Sequence, residues 1–95
     1  MEAPVLTAVA RLFKVLSDES RLRVIEALAL GKEMCVSEIS EHLGLSMTSV
    51  SHHLGILESM GFVAHQQKGQ HVYHMISDDC LMDVLMRARN HVSGV

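Results

Sequence analysis

Apolar side chains recur at intervals of three and four through residues 5–60, which places them on one face of each of several successive helices. Serine favours the position just before a helix and glycine the position just after one, so these residues mark boundaries. The predicted boundaries are Pro4 at the start of the first helix, Ser17 and Gly31 around the second, Gly44 after the third, and Ser46 and Gly61 around the fourth. The pattern therefore predicts four helices before Gly61.

The apolar period changes to two after the fourth helix. The segment FVAHQQKGQHVYHMI consists of two short alternating runs around Lys68-Gly69, which predicts a β-hairpin with its turn at those residues. Ser77 is then expected to cap a fifth helix. The apolar face of that helix comprises Leu81, Val84, Leu85, Ala88 and Val92.

The third and fourth helices are joined by a tight Gly44-Leu45 turn and are followed by the hairpin. That order is typical of a helix-turn-helix with a wing. We therefore predict a mainly helical α+β fold, a winged helix-turn-helix of order α-α-α-α-β-β-α, in a single domain over residues 1–95. The fourth helix would be the recognition helix.

The outward face of the fourth helix is polar. When its apolar side chains face the core, Thr48 and His52 point the opposite way. We expect these two side chains to reach base edges in the major groove of DNA. The hydroxyls expected to bind phosphates are those of Ser46, Ser49 and Ser51.

Composition and charge refine this picture. The chain is 48% hydrophobic but only 3% aromatic, so we expect part of its surface to be buried against a second copy of itself. Its net charge is −3, so any binding of nucleic acid must come from a local surface. No apolar run approaches the ~18 residues of a membrane span, and two cysteines suit a reducing cytoplasm.

The sequence also bears on two other functional classes, an enzyme and a protein-binding module. The sequence has no glycine-rich phosphate loop, nucleophile elbow or paired catalytic carboxylates, so we expect no enzymatic activity. The alternative is a winged-helix module that binds proteins and not DNA. The acidic net charge and the single cation of the QQKGQ turn favour that alternative, whereas the polar face of the fourth helix opposes it.

Nearly the whole chain resembles the ArsR/SmtB family of winged-helix, metal- or stress-sensing bacterial repressors. The resemblance rests on LSDESRLRVIEAL, CVSEISEHLGLSMTSVSHHLGILESMGFV and KGQHVYH. It implies a homodimer paired through the first and last helices, which binds double-stranded operator DNA and is released by an inducer. The DNA contacts that it implies are Thr48, Ser51 and His52, with Lys68 and Gln70 on the wing.

Members of this family sense inducers through different sites, and one of these is a metal site between the last helices of the two subunits. The matching positions are Asp78, Cys80, His91 and Gly94, of which Cys80 stands where histidine is usual and Gly94 offers no ligand. A carboxylate, a thiolate and an imidazole suit zinc or another divalent transition metal. Alternatively, Asp78 simply supports the helix start and His91 sits favourably in the last turn.

A thiol switch is the other candidate for the inducer site. Cys35 and Cys80 both lie at predicted helix starts, where the backbone dipole favours negative charge, so a redox or sulfur-species sensor would use them.

A metal site in the hairpin would have fewer ligands than the site on the last helix. With the predicted turn, His65 and His74 share a face diagonally while His71 lies on the other face, and two ligands do not close a site.

Overall fold

The computed structural model describes residues 1–94, so Val95, the last residue of the predicted domain, lies outside the described residues. The elements are α1 Ala3–Leu16, α2 Glu19–Gly31, β1 Glu33–Met34, α3 Val36–Leu43, α4 Met47–Ser59, β2 Val63–Lys68, β3 His71–Ile76 and α5 Asp79–Ser93. The mainly helical winged helix-turn-helix fold is confirmed. The short strand β1 was not predicted.

The cap of α2 is Asp18 and not the predicted Ser17. The Asp18 carboxylate accepts a hydrogen bond of 2.9 Å from the Arg21 N–H, while the Ser17 hydroxyl donates to the Lys14 carbonyl at the end of α1. An ionised carboxylate is a stronger acceptor at the positive end of a helix than a hydroxyl. The aspartate therefore sets the start of α2.

The cap of α5 is likewise one residue later than predicted. Asp78 accepts a hydrogen bond of 2.9 Å from the Cys80 N–H. The Ser77 hydroxyl instead donates to the Gly61 carbonyl at 3.0 Å and so joins the start of α5 to the end of α4. In both helices, the negative charge of the aspartate favours it over the preceding serine as the cap.

The hairpin turn is Gly69-Gln70, one residue later than the predicted Lys68-Gly69 turn. Gly69 has a φ of 65°, a conformation that glycine adopts without strain. The shift places His65 directly opposite His74, so the predicted diagonal arrangement is wrong. Moving a two-residue turn by one position shifts every cross-strand partner by two residues, so the two histidines keep their shared face and become direct partners.

Strand β1 adds an edge to the wing. It pairs antiparallel with β3 through Glu33↔Met75 and Met34↔His74, which gives the sheet order β1-β3-β2. A strand of two residues cannot show an alternating pattern, which explains why the sequence did not indicate it. The pairing brings the end of α2 beside the wing.

The core lies between α2, α3, α4 and the base of the hairpin, with one buried side chain each from α1 and α5 among the described residues. Its members are Leu16, Val24, Ile25, Leu28, Ile39, Val50, Leu54, Leu57, Phe62, Val63 and Leu81. The outer apolar side chains of α1 and α5 lie on the surface of the single chain. Within residues 1–94, no helix is both long and apolar enough to cross a lipid bilayer.

Candidate nucleic-acid interface

The turn before α4 is fixed by backbone geometry and by a side-chain hydrogen bond. Gly44 has a φ of 70°, and its N–H donates to the Ser40 carbonyl at 2.9 Å. The Ser40 hydroxyl donates to the Leu45 carbonyl at 2.5 Å. From α2, Arg23 donates to the Leu43 carbonyl at 3.0 Å. These bonds hold α4 at a set angle to α3.

Helix α4 has one buried face and one exposed polar face, as predicted. Thr48, Ser51 and His52 are exposed, and Ser49 is half-buried. The buried side chains of this helix are Val50, His53, Leu54 and Leu57. The side chains of this helix that were predicted to contact DNA are therefore accessible or partly accessible.

Ser46 caps α4, because its hydroxyl oxygen accepts a hydrogen bond of 3.1 Å from the Ser49 N–H. The hydroxyl hydrogen remains available to a phosphate, since a serine hydroxyl both accepts and donates. The N-terminus of a helix also attracts anions through its unpaired N–H groups and its dipole. The start of α4 is thus suited to a phosphate contact beside the exposed Thr48.

The wing differs from the sequence-based expectation in its electrostatics. The Lys68 ammonium lies 2.7 Å from a carboxylate oxygen of Glu33 and 5.8 Å from the centre of the Tyr73 ring. Gln70 is exposed in the turn. In the DNA-free chain, the Lys68 ammonium that was predicted to contact a phosphate is therefore paired with a carboxylate. The sequence did not indicate the contact of Glu33 with Lys68, because that contact depends on the pairing of β1 with β3.

His53 lies buried where α4 meets the start of α2. Only 8% of its surface is exposed, and its Nδ1 atom has no hydrogen-bond partner among the described residues. Burial lowers the pKa of His53 below the usual 6.5, while the charge of Asp18 opposes the shift and that of Arg21 adds to it. Burial therefore favours the neutral form of His53, whose ring centre lies 5.9 Å from that of the exposed His52.

A second buried histidine lies at the base of the wing. His74 is 9% exposed, its ring centre is 6.0 Å from that of His65, and burial lowers its pKa, with the charge of His65 adding to the effect. His65 contacts the Glu58 carboxylate of α4 at 2.5 Å. Within residues 1–94, no three His, Cys, Asp or Glu side chains of one chain are grouped to hold a metal ion.

The predicted metal ligands lie at opposite ends of α5. Asp78 and Cys80 are at its start, where Asp78 also caps the helix, and His91 is in the last turn. The eleven residues from Cys80 to His91 span about 16 Å along a helix, so one chain cannot bring both to one ion. Gly94, at the fourth position, has a φ of 75° and carries no side chain that could bind a metal ion.

The cysteines have different surroundings. Cys35 precedes α3, where its thiol donates to the Glu38 carboxylate at 3.1 Å and its N–H donates to the same oxygen at 3.0 Å. These two hydrogen bonds, that of the N–H first, lower the pKa of Glu38. Cys80 is exposed, and both cysteines are free thiols within residues 1–94.

Comparison with known proteins gives consistent results. The sequence profile of bacterial regulatory proteins of the arsR family matches residues 18–65. The chain is 31% identical over 83 residues to a homolog of the cadmium resistance transcriptional regulatory protein CadC from Staphylococcus aureus, an alignment that covers 87% of this chain and 69% of that protein. It is 35% identical over 83 residues to the transcriptional repressor SmtB homolog from Synechocystis sp., covering 87% of this chain and 62% of that protein.

A solved structure extends the comparison to nearly the whole chain. The homodimeric winged helix-turn-helix DNA-binding domain from Mycobacterium bovis superposes with a TM-score of 0.86 and 28% identity, covering 96% of this chain and 83% of that one. The chain spans about two thirds of the length of the two curated relatives.

Proposed function

The chain belongs to the arsR family of bacterial regulatory proteins, and from this premise we propose that it is a dimeric transcriptional repressor, released from double-stranded operator DNA by an inducer. The observation that carries the proposal is the exposed row of Thr48, Ser51 and His52 on a helix whose angle the Gly44 turn fixes. The family consists of regulators, so the expectation that the chain is not an enzyme is confirmed.

Dimerisation through α1 and α5 is supported by the apolar surface that a single chain leaves exposed. Phe13 is 54% exposed on α1, and Met86 and Val92 are 46% and 85% exposed on α5. A groove of about 400 Å³ on α1 is lined by Pro4, Val5, Ala8, Val9, Leu12 and Met60. Apolar surface of this extent is usually buried against a partner, most often a second copy.

In the proposed complex, each α4 lies in a major groove and each wing contacts the flanking backbone. Thr48 and His52 read base edges, because a hydroxyl and an imidazole can each donate or accept a hydrogen bond. Phosphates are bound by Lys68 and Gln70 of the wing and by the hydroxyls of Ser46, Ser49 and Ser51.

Binding of duplex DNA with steep salt dependence tests this proposal against the protein-interaction module. Each phosphate contact releases counterions, so log affinity should fall linearly with log salt, by ~0.9 per contact. A binding isotherm on a random duplex needs no knowledge of the operator. A flat salt response, or no binding to any duplex, would favour the interaction module.

The proposed inducer is zinc or another divalent transition metal ion bound between the α5 helices. Asp78 and Cys80 of one subunit would meet the partner subunit's His91, which is possible only where the two helices run antiparallel. The ligand chemistry fits, since Zn²⁺ binds carboxylate, thiolate and imidazole, and the position of Gly94 leaves room for water. An ion there would fix the angle between subunits and lower DNA affinity by a coupling of ~1–3 kcal/mol.

The alternative inducer is a thiol-reactive species acting on Cys35 and Cys80. The exposure of Cys80 favours this alternative, whereas Cys35 is half-buried and its thiol donates to Glu38. Release of DNA by an oxidant in the presence of a chelator, abolished by Cys80→Ser, would assign the inducer to thiol chemistry. Release by the metal ion under reducing conditions would assign it to the α5 site.

A further inference from the structure

Glu33 contacts Lys68 on one face of the wing sheet, which consists of β1, β3 and β2. Side chains alternate along β3, so His71, Tyr73 and Met75 share a face. Lys68 pairs with His71 and Glu33 pairs with Met75, which places their side chains on that same face at opposite edges of the sheet. Lys68 lies over the Tyr73 ring and reaches Glu33 across the central strand, with a separation of 2.7 Å.

This ion pair joins the outer strand β2 to the opposite edge strand β1. Both side chains remain accessible, with 47% of Lys68 and 43% of Glu33 exposed, so a phosphate can displace the carboxylate. Lys68 is also the cation of the QQKGQ turn. The wing therefore has no net attraction for DNA from this pair until the pair opens.

We propose that Glu33 regulates the affinity of the wing for DNA by competing with phosphate for Lys68. The inference rests on the proposed function, because it assigns Lys68 to the DNA interface. In free protein the Glu33 carboxylate holds the ammonium over Tyr73. In the complex the ammonium turns to a phosphate, and the released carboxylate takes up a cation from solution. That uptake offsets part of the counterion release that accompanies the new phosphate contact.

The test compares Glu33→Gln with the wild-type dimer on a random duplex over a series of salt concentrations. Loss of the carboxylate frees Lys68, so binding at low salt should tighten by a factor of about 1.4 to 5 for each wing in contact, the range expected of an exposed ion pair. The slope of log affinity against log salt should steepen for each such wing by less than the ~0.9 of one phosphate contact, since the carboxylate offsets only part of that contact. Glu2→Gln removes the same charge just before α1, outside the wing, and should change neither quantity.

A double-substitution cycle with Lys68→Ala separates competition from simple repulsion. If Glu33 acts through Lys68, the gain from Glu33→Gln disappears in the Lys68→Ala background. A gain that persists there overturns the proposal, because the carboxylate would then repel DNA directly. An unchanged affinity and salt slope in Glu33→Gln overturns it as well, while the wild-type binding itself upholds the proposed function.

If neither wild type nor Glu33→Gln binds any duplex, the proposed function fails and this inference fails with it. Thermal unfolding of each variant, without DNA, checks that the fraction folded is the same in all samples. If Glu33→Gln unfolds at a lower temperature than wild type, Glu33→Met replaces it. Methionine keeps a side chain of similar length without the charge, so the same result is expected.

Discussion

Thr48 and His52 are exposed on α4, and the proposed complex assigns them to base edges. We expect Thr48→Ala and His52→Ala each to cost ~1–3 kcal/mol of discrimination between operator and random DNA. Lys68→Ala should instead weaken both kinds of DNA about equally, because phosphates carry no sequence information. Competition binding with operator and random duplexes measures both effects. Equal losses on the two duplexes for His52→Ala would make that residue a backbone contact.

Gly55 lies in the exposed row of α4, and no contact within the described chain explains why this residue is a glycine. A Cβ added at Gly55 would meet no described heavy atom within 4 Å, so packing within the chain does not require it. We expect Gly55→Ala to raise the free energy of unfolding by about 1 kcal/mol, since alanine is the better helix former. Operator affinity should fall if DNA approaches the backbone there. Unchanged affinity, with the expected gain in stability, would show that the groove does not reach Gly55.

The buried histidines should make the free energy of unfolding depend on pH. Burial lowers the pKa of His53 and of His74 below 6.5, so on acidification the unfolded chain takes up protons first. Since the unfolded state then binds more protons, the free energy of unfolding should decrease as the pH falls below about 6.5. Asp18 and Glu38, whose pKa values are lowered from 3.8 and 4.5, lose their contribution only at more acid pH.

Urea unfolding of His53→Phe across this pH range checks the assignment. The slope of stability against pH should become shallower, because one buried group no longer takes up a proton on unfolding. The exposed neighbour His52 gives a matched control, His52→Phe, in which the buried histidine is retained. A slope that stays the same in His53→Phe would exclude that residue as a source of the dependence.

At the scale of a single element, Asp78 has two separable roles in α5. As the cap it accepts a hydrogen bond from the Cys80 N–H, and in the proposed metal site it supplies a carboxylate. Asparagine caps a helix about as well as aspartate but is a poorer ligand, whereas alanine does neither. We expect Asp78→Asn to keep the stability and weaken metal binding, and Asp78→Ala to cost ~1 kcal/mol of stability in addition.

Titration with cobalt gives the readout for the α5 site. The wild-type dimer should show a tetrahedral spectrum with a thiolate charge-transfer band, which should be lost in Cys80→Ser and in His91→Ala. Cys35→Ser should retain the band and serves as the control for the other thiol. If the band depends on Cys35 instead, the metal site belongs at α3, and the α5 assignment is wrong.

At the scale of the whole molecule, the exposed apolar faces of α1 and α5 predict the assembly. Wild type should sediment at micromolar concentration with twice the chain mass of 10.5 kDa, and it should bind half-sites about 34–36 Å apart, or a multiple of that spacing. Phe13→Glu places a charge in the proposed interface and should yield monomers. Phe13 and Met47 are both 54% exposed, so Met47→Glu on α4 is the matched control and should remain dimeric. Sedimentation of wild type as a monomer would contradict the proposal.

The sequence by itself determined the features that depend on neighbours along the chain. Helical spacing, the Ser46 cap and the Gly44 stop are local, so α3, α4 and the buried face at Val50 and Leu54 were predicted correctly. The winged-helix fold followed from their order. Two predicted helix starts were one residue too early, because Asp18 and Asp78 cap their helices in place of the serine hydroxyl beside each.

Only the tertiary structure decided which distant residues meet. Strand β1 exists because β3 offers it a partner, and a segment of two residues carries no periodic signal of its own. The contact of Glu33 with Lys68 depends on that pairing and on the exact register of the hairpin, which the sequence placed one residue too early. Side chains 35 positions apart are brought together by the summed packing of the whole sheet, and no spacing rule along the chain encodes that result.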